Sequence, residues 1–293
     1  MPRLTHRRAA GIAAVAAALV YAFALSNGYA GDDLVAVRDN PAAHSVVSAL
    51  SSWFEPYWPG EWQWAGLYRP LTILSYAVDW SIAGGAVWWA HLVNVVLHAG
   101  ASALVVAVLG PWLPPVGTLA AGTLFALHPV HVEAVANIVG RAELLVALAL
   151  LGALLAARRY RRAVSDTGRR AWRAAVLVLV LVALFSKEHG IIALAMLAVD
   201  HLLDRQRAPD RMVSLYVAVS AVTVGWLYLW RHVAGAFVAG GAHAALAGLP
   251  WSERMATMGP VYLDVLRLLV WPMRLLSDYA PQTVPLRLEM GWL

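Results

Sequence analysis

The sequence predicts an all-α, polytopic bundle of membrane helices with about seven spans. Three observations predict it. Of 293 residues, 61% are hydrophobic and 13% charged; the apolar residues gather in long runs; and arginines punctuate those runs instead of covering one face. That balance suits lipid as solvent and exceeds what a soluble domain carries. The 14 Trp and 10 Tyr fit it, because amphipathic rings settle where hydrocarbon meets headgroups.

The first element is an apolar run from Ala9 to Tyr29, preceded by Arg3, His6, Arg7 and Arg8. It has about the 20 residues a helix needs to cross hydrocarbon, whereas a cleaved leader has a shorter core. Further runs extend from Trp88 to Leu109, Val116 to Leu127, Leu144 to Ala157, Ala174 to Phe185, Gly190 to Leu203 and Val213 to Trp230. Several are short and need flanking turns or interrupted helices packed within protein. The expected organisation is one module: a first span at 1–29, a long outer loop at 30–87, core spans at 88–233, and an outer-side loop with an interfacial helix at 234–293. Within the first loop, Pro70 and the spacing of Leu71, Leu74, Val78 and Ile82 predict a helix over 69–82 lying in the membrane plane.

Orientation follows from arginine placement. Residues 158–173 carry seven Arg and one Asp, and residues 204–211 three Arg and two Asp. Both belong on the cytoplasmic side, which puts the N-terminus there too. The net charge of +5 therefore reads as topology, and no nucleic-acid partner is expected. With no cysteine, disulfides, thiolate metal sites and thiolate nucleophiles are excluded.

Four polar clusters then fall on the non-cytoplasmic side, where ionisable groups at membrane depth default to function. Asp32 and Asp33 follow the first span; adjacent carboxylates repel, which raises a pKa toward that of a general base. The second cluster runs from His128 through His131 and Glu133 to Asn137, Arg141 and Glu143. If Pro129 opens one helix, Glu133, Asn137 and Arg141 form a polar stripe at i, i+4 and i+8. His128 and His131 could share a divalent cation, but no close third ligand accompanies them, so no cofactor is assigned. The third cluster is Lys187-Glu188-His189; Lys187 is the single lysine among 22 basic residues, and its compact charge suits a phosphate or a carboxylate. The fourth holds Arg254, Asp264, Arg267, Arg274, Asp278 and Tyr279 around an amphipathic stretch read as a surface helix.

These landmarks resemble the transmembrane O-mannosyltransferases that act on cadherins and their bacterial relatives, within the GT-C glycosyltransferase class. The matching stretches are Asp32-Asp33, Tyr68-Arg69-Pro70-Leu71-Thr72, Asn94 with His98, 128–136 (HPVHVEAVA), 140–144 (GRAEL), 187–190 (KEHG) and 276–279 (LSDY). The resemblance spans nearly the whole chain in order and spacing. It implies transfer of mannose or a similar hexose from a polyprenyl-phosphate carrier in the membrane to a hydroxyl of a protein or glycan, outside the cytoplasm, with inversion and without a covalent enzyme intermediate. A bacterial inner membrane, with the site facing the periplasm or exterior, is the expected location. Such proteins continue through further spans, so this chain is expected to represent their front half.

The roles expected on that basis are Asp33 or Asp32 as base on the acceptor hydroxyl, and Arg141, Lys187, Arg69 and Arg254 on the donor phosphate. His128, His131, Glu133, Glu143, Glu188 and Asp278 are expected to orient these groups. Two rival functions are a flippase for the same lipid, which needs charges nearer the midplane, and a membrane scaffold, which would tolerate loss of Asp33, Arg141 and Lys187.

Overall fold

A computed structural model describes residues 4–58, 60, 66–204, 209–235, 250–273 and 275. Every regular element among them is helical, and every apolar run of the sequence has become a helix. The α-helices are α1 (His6–Val20), α2 (Val46–Ala49), α3 (Pro70–Ala83), α4 (Val87–Leu109), α5 (Pro115–Leu127), α6 (Val132–Ala136), α7 (Arg141–Arg162), α8 (Asp166–Ser186), α9 (Ala193–Leu203), α10 (Pro209–Ala234) and α11 (Trp251–Val270). Short 3₁₀ turns and one π-helical turn at Leu34–Arg38 fill the links.

Residues 6–26, α4 and residues 211–234 are long and apolar enough to cross a membrane, and a fourth crossing is reached if α5 and the bent continuation Pro129–Ala136 count as one. The helices α7 and α8, of 22 and 21 residues, are as long, but arginines at one end dilute their apolar character. Against about seven expected spans, three helices among the described residues, or four with the bent pair, have the length and apolar character of a crossing, and the other runs are shorter or carry arginines.

Packing follows from small residues. Ala9, Ala13 and Ala17 repeat every fourth position on α1 and are fully buried where it meets α4 and α5. Such a seam lets backbones approach closely, which is how helices associate in lipid. The hairpin of α7 and α8 turns at Ser165, whose hydroxyl accepts the Gly168 N–H as an N-cap. It forms the largest apolar core together with α9 and α10. A second core holds the first loop against α3 through Ala36, Val37, Tyr57, Ile73 and Tyr76.

The helix expected over 69–82 is α3. Proline occupies its first turn, and Gly84 ends it at φ +60°, a left-handed conformation glycine adopts without strain. Nearer the C-terminus, the side chains of Tyr262, Val265, Leu266 and Leu269 on α11 are all exposed.

Candidate functional site

The first outer loop, the link from α5 to α7 and the end of α8 enclose a cavity of about 730 Å³. Its charged lining among the described residues comprises Asp32, Glu133 and Glu143 together with Arg69 and Lys187, and His98 and His131 line it too. Residues far apart in sequence therefore meet in one space.

Each cation is held by a carboxylate. Arg69 sits at the start of α3 and forks onto Glu188, its Nε and Nη2 donating to the carboxylate at 2.8–3.2 Å. The Glu188 carboxylate also accepts the Tyr68 N–H. Lys187 lies in extended conformation just past α8, and its Nζ donates to Glu143 Oε1 at 2.6 Å. The second Glu143 oxygen contacts His189 Nδ1 at 3.0 Å. Glu143 lies in the first turn of α7, ahead of the apolar run from Leu144, where the helix dipole favours negative charge. Burial pushes its carboxyl up, but the His189 contact and the Lys187 charge outweigh burial and bring its pKa down to about 2. Glu143 is thus a fixed anion that positions Lys187, rather than a group that exchanges protons near neutrality.

The two adjacent aspartates separate. Asp32 is exposed and lines the cavity. Asp33 is fully buried, and its carboxylate accepts N–H groups from Val139 at 2.8 Å and Ala30 at 3.3 Å. Burial raises its pKa while those donors pull it back. The cause is burial, not the repulsion between neighbouring carboxylates expected from the sequence. With both oxygens committed to backbone, Asp33 fastens the first loop to the start of α7.

Arg141 also departs from expectation. Its guanidinium points away from the cavity into the protein, with no exposed surface. It pairs with Asp79 of α3, donates from Nε to Asn94 Oδ1 at 2.9 Å and from Nη2 to the Ala90 carbonyl at 2.8 Å, and lies over the Tyr76 ring. The reason is that no single helix carries Glu133, Asn137 and Arg141. Helix α6 stops at Ala136, Asn137 is extended, and Asn94 Nδ2 donates to the carbonyls of Asn137 and Ile138. Gly140 permits the turn, since a Cβ there would lie 2.4 Å from the Ala134 carbonyl oxygen. The expected polar stripe is therefore broken: Glu133 and Asn137 face the cavity, and Arg141 starts a new helix facing α3 and α4.

His128 acts as a cap. Its Nδ1 accepts the Val130 N–H, which leaves Nε2 to donate to the Leu269 carbonyl of α11 at 3.1 Å. His131 packs against Phe125 and His98. The rings of His128 and His131 are 6.2 Å apart, and among the described residues no group of three or more His, Cys, Asp or Glu could hold a metal. Arg254 lies in the first turn of α11, about four helical turns from the end that touches His128, and does not line the cavity. Asp278, with Arg274 and Tyr279, lies outside the described residues.

The sequence reading missed Asp79 and the positioning role of Asn94. A signal for the first was present: Asp79 is the one carboxylate in the apolar stretch 70–83, and a lone acid there needs a buried cation.

No family model and no solved structure matches the chain. Curated proteins do. The chain is 35% identical over 214 residues to protein O-mannosyl-transferase Tmtc2 of Drosophila melanogaster, covering 70% of this chain and 23% of that protein. It is 37% identical over 201 residues to protein O-mannosyl-transferase Tmtc1 of the same organism, covering 65% and 22%. With human protein O-mannosyl-transferase TMTC4 the identity is 31% over 209 residues, covering 64% and 28%. The matches span less than a third of the length of these relatives. The chain belongs to the transmembrane protein O-mannosyltransferase family.

Proposed function

We propose that the chain is the membrane-embedded part of a glycosyltransferase that moves mannose, or a similar hexose, from a polyprenyl-phosphate carrier to a hydroxyl group of a protein. The observation that carries this is the meeting of Asp32 with Arg69 and Lys187 around one cavity, in a chain whose relatives are named for protein O-mannosyl transfer.

In this mechanism the acceptor hydroxyl oxygen attacks the anomeric carbon. The bond from that carbon to the phosphate oxygen breaks, and its electron pair leaves with the lipid phosphate. The hydroxyl proton passes to the Asp32 carboxylate. Arg69 and Lys187 meet the charge growing on the phosphate, which is where a fixed cation lowers the barrier. Glu188 and Glu143 hold those cations in place before substrate arrives, so little reorganisation accompanies the reaction. Asp32 takes the role of base in preference to Asp33 because its carboxylate lines the cavity.

We place the cavity on the non-cytoplasmic side, and in a bacterial inner membrane it opens to the periplasm. Support comes from α7, whose 22 residues span about 33 Å between Arg141 at the cavity end and the arginine-rich end at Arg162. Arginine-rich loops stay in the cytoplasm.

The test is incubation of the purified protein with polyprenyl-phosphate mannose and an acceptor protein, following free lipid phosphate and acceptor mass together. The proposal expects equal amounts of both products. Lipid phosphate release without acceptor glycosylation would mean hydrolysis, and neither product would contradict transfer by this chain.

A further inference from the structure

At the end of α7 and α8 remote from the catalytic cavity lies a second cavity, of about 520 Å³. Arg169, Arg170 and Arg173 of α8 and Arg211 of α10 line it, together with Tyr160 and Asp166. From this arrangement we infer a binding site for the phosphate headgroup of an anionic membrane lipid.

The charge balance is the first argument. At the same end of the bundle, the buried Arg158 and Arg161 are matched by two acids: Asp200 bridges both at 2.6–2.9 Å, and Asp204 adds a second contact to Arg161. Among the described residues that line the cavity, four guanidinium groups stand with one carboxylate, Asp166, and that acid pairs with Arg169. Arg173 and Arg211 are met by neutral carbonyls, those of Ser214, Arg161 and Ala163. These contacts aim the guanidinium groups without neutralising them. Arg169 also occupies the first turn of α8, where the helix dipole disfavours positive charge. An incoming phosphate removes both penalties, and guanidinium geometry suits its oxygens.

Position favours a lipid over a free anion. Arg211 begins the apolar stretch 211–234, which is long enough to cross a membrane, so the cavity sits where hydrocarbon gives way to headgroups. Trp172 stands exposed beside Arg173, as aromatic side chains do at that level. Basic pockets between helix ends on the cytoplasmic side are suited to anionic headgroups. This inference does not depend on the proposed transfer reaction.

The test is native mass spectrometry of the full chain released from micelles containing phosphatidylglycerol or phosphatidylcholine. Phosphatidylglycerol is expected to remain bound in preference, and its retention to fall about tenfold in R170Q/R173Q. The control R159Q/R162Q removes two arginines from the same end but outside the cavity lining, and is expected to retain the lipid. Equal retention of the two lipids, equal loss in both variants, or displacement by millimolar inorganic phosphate would overturn the site. If R170Q/R173Q does not fold, the unaltered chain decides: its preference must shrink between ~0.1 M and ~1 M salt, as screening requires. A preference unchanged by salt would overturn the site as well.

Discussion

The ammonium of Lys187 lies 2.6 Å from the carboxylate of Glu143, joining the end of α8 to the first turn of α7 at the wall of the cavity. The pair orders a single lysine in front of a space large enough for a sugar phosphate. Because Glu143 stays ionised, Lys187 keeps its counter-ion until substrate arrives.

That pairing predicts a pH signature. The folded pKa of Glu143 is lowered from its ordinary 4.5 to about 2, so its contribution to stability is complete above 4.5 and lost as pH falls through about 2. Thermal unfolding of Glu143→Gln should therefore vary less than that of the unaltered protein across this window. Equal slopes would contradict the pairing.

Lys187→Met is expected to fold and to lose turnover. Removing one preorganised donor from developing charge costs ~10²- to 10³-fold in kcat. Single-turnover kinetics with saturating donor lipid would measure it, and an unchanged rate would remove Lys187 from the mechanism.

Arg141→Met should act on the fold instead. It strands Asp79 in a largely buried position, and breaking a buried pair from one side costs ~3–5 kcal/mol. Chemical denaturation in micelles reads this directly. A protein of unchanged stability but lost activity would return Arg141 to the site.

Gly140→Ala should also destabilise, since the added Cβ would meet the Ala134 carbonyl oxygen at 2.4 Å and backbone must move. Overpacking of this kind costs ~1–3 kcal/mol, and the same denaturation experiment measures it. A stable Gly140→Ala protein would show that the turn before α7 is less constrained than its geometry requires.

Much of the fold was legible because lipid makes hydrophobic runs into helices: the stretch read as a helix over 69–82 became Pro70–Ala83, and each apolar run became a helix. The meeting of Asp32 with Lys187 at one end of the bundle was legible through arginine counts, which separate the two ends. What could not be read was side-chain direction. Whether Asp33 or Asp32 faces the cavity depends on the Val139 N–H, more than a hundred residues away. The inward turn of Arg141 depends on a helix break fixed by Asn94 and Gly140, again through long-range contacts. Local spacing carries no information about such partners, which is why Asp33 and Arg141 looked catalytic.

The most direct measurement compares Asp32→Asn with Asp33→Asn in transfer from polyprenyl-phosphate mannose, with unfolding recorded on the same preparations. Loss of a general base costs ~10²- to 10⁴-fold in rate, so Asp32→Asn should keep normal stability and lose transfer by that factor, while Asp33→Asn should lose stability first. Full turnover by Asp32→Asn would contradict the account.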